Sequence, residues 1–115
     1  MKKFRIAYAA VAALVLGNGA ALAASAEAGK AAYVKNGCWQ CHGFVGQGSL
    51  VTSNGAVLAN TKLPLDAFTG FVRNSNRAMP PYREAILPDA DLADIYAYLQ
   101  SVPKPPDAGS IPLLK

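Results

Sequence analysis

Apolar residues fall along the chain in separate groups, divided by stretches rich in Gly, Pro and small polar residues. The first group, Ile6 to Leu16, is an unbroken apolar run. A helix is predicted over 26–37, with Ser25 or Glu27 near its start, Tyr33 and Val34 as its bulky apolar residues and Gly37 at its close. From Gly43 to Gly55 four glycines alternate with small polar residues, which predicts loop. Leu65 to Asn74 predicts a second helix: Pro64 suits its entry, and Leu65, Phe68, Phe71 and Val72 share one face. Arg73 to Tyr82 is expected to be loop again, because Met79-Pro80-Pro81 cannot be helical. Pro88-Asp89 opens a last helix to about Val102, with Leu92, Ile95, Tyr96, Leu99 and Val102 at helical spacing. Asp89, Asp91 and Asp94 crowd its first half, where the helix dipole favours anions. Pro103, Pro105 and Pro106 end it and leave an irregular tail. There is no alternating strand pattern and no internal repeat. The expected class is all-α, three or four short helices with long loops.

The first apolar run is set apart from this domain. Lys2, Lys3 and Arg5 precede it, Gly17-Asn18-Gly19 break it, and Ala21-Leu22-Ala23 supplies the small-x-small pattern of a signal peptidase site. That order predicts a secretory signal peptide over 1–23 and a mature domain over 24–115. Cleavage after Ala26 is a second option. An uncleaved anchor is the competing reading, but a span needs roughly 20 apolar residues, more than this core offers.

Removing the signal changes the charge balance. The whole chain carries 11 basic and 7 acidic residues, net +4. Three of the basic residues leave with the signal, so the mature chain stands at eight against seven, or +1. The basicity belongs to export and gives no concentrated face for nucleic acid. The domain that remains supports only a thin core, rich in Ala, and small domains of this kind gain stability from a disulfide, metal or cofactor.

One segment offers such a device. The two cysteines and the single histidine of the chain stand together in Cys38-Trp39-Gln40-Cys41-His42. This is C-x-x-C-H, the attachment sequence for c-type haem. Two intervening residues let both sulfurs reach neighbouring vinyl groups from one turn, and the next residue places His42 under the iron. A zinc site wants four ligands, and no further Cys or His is present. A thiol–disulfide exchange site uses C-x-x-C, but beside a strand. A structural Cys38–Cys41 disulfide closes too small a loop to add much.

The second axial ligand is expected from Met79. No second histidine exists, Met1 leaves with the signal, and Met79 lies far enough past His42 to wrap over the opposite face. Methionine usually fills gaps in cores. A position between Arg77 and two prolines is unusual for filler, and His/Met is an established axial pair.

With these residues in place, the sequence resembles the class I c-type cytochromes over nearly the whole mature chain. Gly29-x-x-x-Tyr33, the C-x-x-C-H segment, Met79-Pro80 and Asp94-Ile95-Tyr96-Ala97-Tyr98-Leu99 carry the resemblance in order. It implies a small cytochrome c fold wrapped around one haem. It implies that Gly29 lets the first helix cross the last closely, that Tyr33 packs on Tyr98, and that Leu58, Ile95 and Leu99 line the haem pocket. Many members carry Gly-Pro-x-Leu, whose proline carbonyl accepts a hydrogen bond from the histidine Nδ1. The best match here is Gly55-Ala56-Val57-Leu58, where Ala56 keeps the carbonyl but lacks the fixed φ. Arg73 and Arg77 are candidates to neutralise haem carboxylates, a solvated surface role being the alternative. Trp39, Phe44 and Tyr82 are candidates to pack at the ring edge.

The expected function is periplasmic one-electron transfer by covalently bound haem c, with both axial positions filled and no open site for substrate. The partners would be redox proteins, a donor dehydrogenase and an acceptor oxidase or cytochrome, with the membrane involved only if the signal is retained. Two other readings stand beside it. One is a cytochrome subunit held on a periplasmic flavin or molybdenum dehydrogenase. The other is a haem sensor or peroxidase-like protein, which requires that Met79 leave the iron open.

Overall fold

The computed structural model describes residues 23–49 and 55–114. The signal peptide expected over 1–23 lies outside the described residues except for Ala23. Four α-helices follow one another: α1 (Ala26–Lys35), α2 (Trp39–His42), α3 (Leu65–Asn74) and α4 (Asp89–Ser101). Among the described residues the only extended pairing is a single antiparallel bridge between Ser49 and Gly55. None of the helices described is long and apolar enough to cross a membrane.

Local chemistry sets the boundaries. The Ser25 hydroxyl caps α1 by accepting the Ala28 N–H at 3.2 Å. The helix stops at Lys35, two residues before the expected end, because Asn36 folds its own side-chain amide back onto the Ala32 carbonyl. Gly37 then turns left-handed, with φ 75°. α3 starts and stops where its apolar face and Pro64 predict. α4 ends at Ser101, with Val102 extended ahead of the prolines. The tail is irregular apart from two exposed 3₁₀ turns, Ala108–Ser110 and Pro112–Leu114.

The core forms where α1 and α3 meet α4. Tyr33, Leu87, Leu92, Ile95 and Leu99 are almost wholly buried, with Ala32, Phe68, Val72 and Tyr98 around them. α1 crosses α4 backbone to backbone: a Cβ built on Gly29 would lie 1.8 Å from the Asp94 carbonyl oxygen. Beside the crossing, Tyr33 and Tyr98 meet edge to face with centroids 5.6 Å apart. Each apolar position read along α4 is buried or packs against the core, and Tyr98 joins them. Tyr98 is buried, whereas Tyr96 is partly buried against Phe68 and donates its hydroxyl to the Leu63 carbonyl.

The loop between α2 and α3 is stitched to the end of α4. Asn60 adopts φ 55°, a region Asn tolerates better than most residues. Its backbone N–H reaches the Leu99 carbonyl and its side chain the Val102 carbonyl, both at 2.8 Å. One orphan carbonyl of α4 and the carbonyl just past its end are thereby satisfied, and Leu58 is held against the core.

A candidate haem site

The attachment segment is itself a helical turn. The His42 N–H donates to the Cys38 carbonyl at 3.0 Å and the Gly43 N–H to the Trp39 carbonyl at 2.9 Å. Cys38 and Cys41, three apart, therefore share one face, with His42 next in line. Buried tyrosines fasten the exit of this turn. The Tyr33 hydroxyl donates to the Gly43 carbonyl at 2.7 Å and the Tyr98 hydroxyl to the Phe44 carbonyl at 3.0 Å. Burial pushes both phenols above the ordinary tyrosine range, so they stay protonated and donate.

His42 is oriented by the segment on the other side of the loop. Its Nδ1 lies 2.8 Å from the Ala56 carbonyl oxygen. A carbonyl only accepts, so Nδ1 carries the proton and Nε2 keeps the lone pair that a metal needs. Ala56 thus supplies the contact that a proline carbonyl supplies in many members of the resembling family, without the fixed φ. The approach is close because position 55 has no side chain: a Cβ on Gly55 would lie 1.8 Å from the Cys41 carbonyl oxygen.

Cys38, Cys41 and His42 open onto a cavity of about 700 Å³. This is within the size range of cofactor pockets. Leu58 and Leu63 from the loop line it, as do Phe68, Phe71 and Val72 of α3. Met79 and Pro80, together with Tyr82, Leu87, Leu92 and Ile95, complete the wall. The lining contains no Asp, Glu, Lys or Arg. Among the described residues no three His, Cys, Asp or Glu side chains converge to hold a metal by themselves. A metal at His42 therefore needs equatorial ligands from elsewhere, which a porphyrin brings. An apolar chamber with two thiols, an imidazole and a thioether on its walls suits an iron porphyrin in both shape and donor chemistry. The thiol-exchange reading fares poorly on the same geometry. Burial pushes the Cys38 thiol up to about 11, away from the depressed values of reactive thiolates.

Most residues singled out from the sequence meet at this chamber: Cys38, Cys41, His42, Leu58, Met79, Tyr82 and Ile95 all line it. Leu99 does not. It is fully buried one turn beyond Ile95, where it packs against Gly46 behind the chamber. Trp39 and Phe44 stack on each other, with centroids 4.6 Å apart, and are not part of the wall. Arg73 is neither a chamber residue nor a solvated one. Its guanidinium donates to the Tyr82 carbonyl at 2.8 Å and pairs with Asp89. Arg77 is exposed and outside the lining. The contribution of α3 was not foreseen. Its apolar stripe reads as an ordinary core face, yet Phe71 turns to the chamber and stays 64% exposed, and Leu65 is left largely outside at the first turn.

Fold and chamber together define a c-type cytochrome, and the chain belongs to the class I c-type cytochrome family. A family model described as "Cytochrome C oxidase, cbb3-type, subunit III" matches residues 24–99. The chain is 37% identical over 108 residues to the cytochrome c-555 of Methylococcus capsulatus, covering 86% of this chain and 85% of that one. No solved structure matches it. The protein is a haem c electron carrier that exchanges electrons with redox partner proteins.

Proposed function

We propose that this protein is a periplasmic shuttle for single electrons, with Cys38 and Cys41 bonded to the haem as thioethers and the iron held between His42 and Met79. The observation that carries this reading is the convergence of all four side chains on one apolar chamber. When bound, haem c supplies one-electron exchange between ferrous and ferric iron. The chain's own groups do the rest. The Ala56 carbonyl holds the tautomer of His42 and raises the basicity of its metal-binding nitrogen. With the haem bound, the Met79 thioether would serve as the second protein ligand to the iron and leave no position open for substrate. The apolar wall from α3, α4 and the two loops keeps water from reorganising as charge changes. The domain is residues 24–115, exported by the signal at 1–23, and it carries electrons without catalysing a reaction of its own.

The test is spectroscopic. Protein purified from a periplasmic extract should give a pyridine haemochrome spectrum of a haem with two thioethers. Its ferric form should show the iron–sulfur absorption band, and Met79→Ala should lose that band while keeping the haem. A ferric wild type without the band would replace the carrier by an open-site sensor or peroxidase-like protein. A second reading, permanent attachment to a larger redox enzyme, draws support from the family model's description as an oxidase subunit. The free carrier is preferred because the relative aligned over 85% of its length bears the name of a cytochrome, not of a subunit.

A further inference from the structure

The segment between α3 and α4 that carries Met79 is fastened at two places. On one side, the Ser75 hydroxyl donates to the carbonyl of Met79 itself at 2.8 Å. On the other, Tyr82 is gripped from several elements at once. Its N–H donates to the Val72 carbonyl at 2.9 Å, and its carbonyl accepts from Arg73. Its hydroxyl donates to the Asn36 carbonyl, just past α1, at 2.9 Å. Arg73, with 17% of its side chain exposed, spends its other nitrogen on Asp89 at the start of α4.

Between these two anchors lie only Pro80 and Pro81. Proline fixes its own φ and restricts the residue before it, so Met79-Pro80-Pro81 is a stiff strut. A displacement refused at Tyr82 is therefore refused at Met79 as well.

We propose that Arg73 and Ser75 are positioning residues for Met79, closing a clasp that sets how readily its thioether leaves the sixth coordination position. The proposal rests on the His42/Met79 reading given above. Neither side chain lines the chamber, so each acts only through the loop. The clasp makes exchange of Met79 for an outside ligand depend on opening two hydrogen-bonded anchors, one of them charge-assisted.

The experiment is a titration of the ferric holoprotein with imidazole, followed by loss of the iron–sulfur band. Ser75→Ala removes a neutral hydrogen bond and should tighten imidazole binding about threefold. Arg73→Met removes bonds from a charged donor and should tighten it about tenfold or more, with Arg73→Lys falling between wild type and Arg73→Met. Ser25→Ala is the control, since it removes the cap of α1, away from the chamber, and should lower Tm with imidazole affinity within about twofold of wild type. Should Arg73→Met fail to fold, Ser75→Ala decides alone. Folded clasp variants that bind imidazole like the wild type overturn the proposal. So does a Ser25→Ala protein that shifts as far as they do, because the effect would then be general destabilisation. A wild type with no iron–sulfur band removes the His42/Met79 reading itself, an outcome distinct from either of these.

Discussion

The contact between Ala56 and His42 depends on a neighbour that has no side chain. Segment 55–58 passes so close to the attachment turn that any Cβ at Gly55 would enter the Cys41 carbonyl. Gly55→Ala must therefore push the segment away and lengthen or break the 2.8 Å bond to His42. An imidazole without that acceptor is a poorer electron donor and stabilises ferric iron less. The expected result is a more positive reduction potential for Gly55→Ala, with the haem still attached, measured by redox titration. A potential equal to that of the wild type would mean that Ala56 has no part in tuning the iron. Of the residues around the ligand, the sequence points to His42 through its place after Cys41. It offers Ala56 only as a carbonyl in a roughly matching tetrad, since whether a loop carbonyl faces an imidazole depends on how the loop is folded.

Helix α1 is set against α4 by the same device. Gly29 presses onto the Asp94 and Ile95 backbone, which cannot yield as a flexible side chain would. Gly29→Ala is expected to cost about 3 kcal/mol by overpacking. In a domain of this size that lowers Tm by roughly 10–20 °C, which a thermal melt of the holoprotein checks. Because Ile95 belongs both to the crossing and to the chamber wall, the shift should also register in the haem spectrum. The helices themselves were legible from the chain. Pro64, the Asp-rich start of α4 and the prolines after Ser101 are local signals, and local signals decide where helices begin and end. Which face of α3 meets what was not legible. A stripe of Leu65, Phe68, Phe71 and Val72 looks the same whether it covers a solid core or a chamber.

The folded chain also bears on its own processing. Ser25 caps α1, its carbonyl accepts the Gly29 N–H at 2.8 Å, and its N–H donates to Asp94 at 2.6 Å. Cleavage after Ala26 would discard all three bonds and the first residue of α1. Cleavage after Ala23 keeps them and brings the new ammonium group near the Asp94 carboxylate. The intact mass of the exported protein should thus correspond to a chain beginning at Ala24 with one haem added. A chain beginning at Glu27 would show that the cap is dispensable. What the sequence determined unaided was the grouping of Cys38, Cys41 and His42 in one short segment and the order of the main helices. Both are written in neighbouring residues, where covalent spacing already dictates geometry. What only the tertiary structure decided was the partner of His42, the clasp around Met79, the engagement of Arg73, and the place of Leu99 behind the chamber instead of on its wall. Each of these joins residues well apart along the chain, and packing alone brings such residues together.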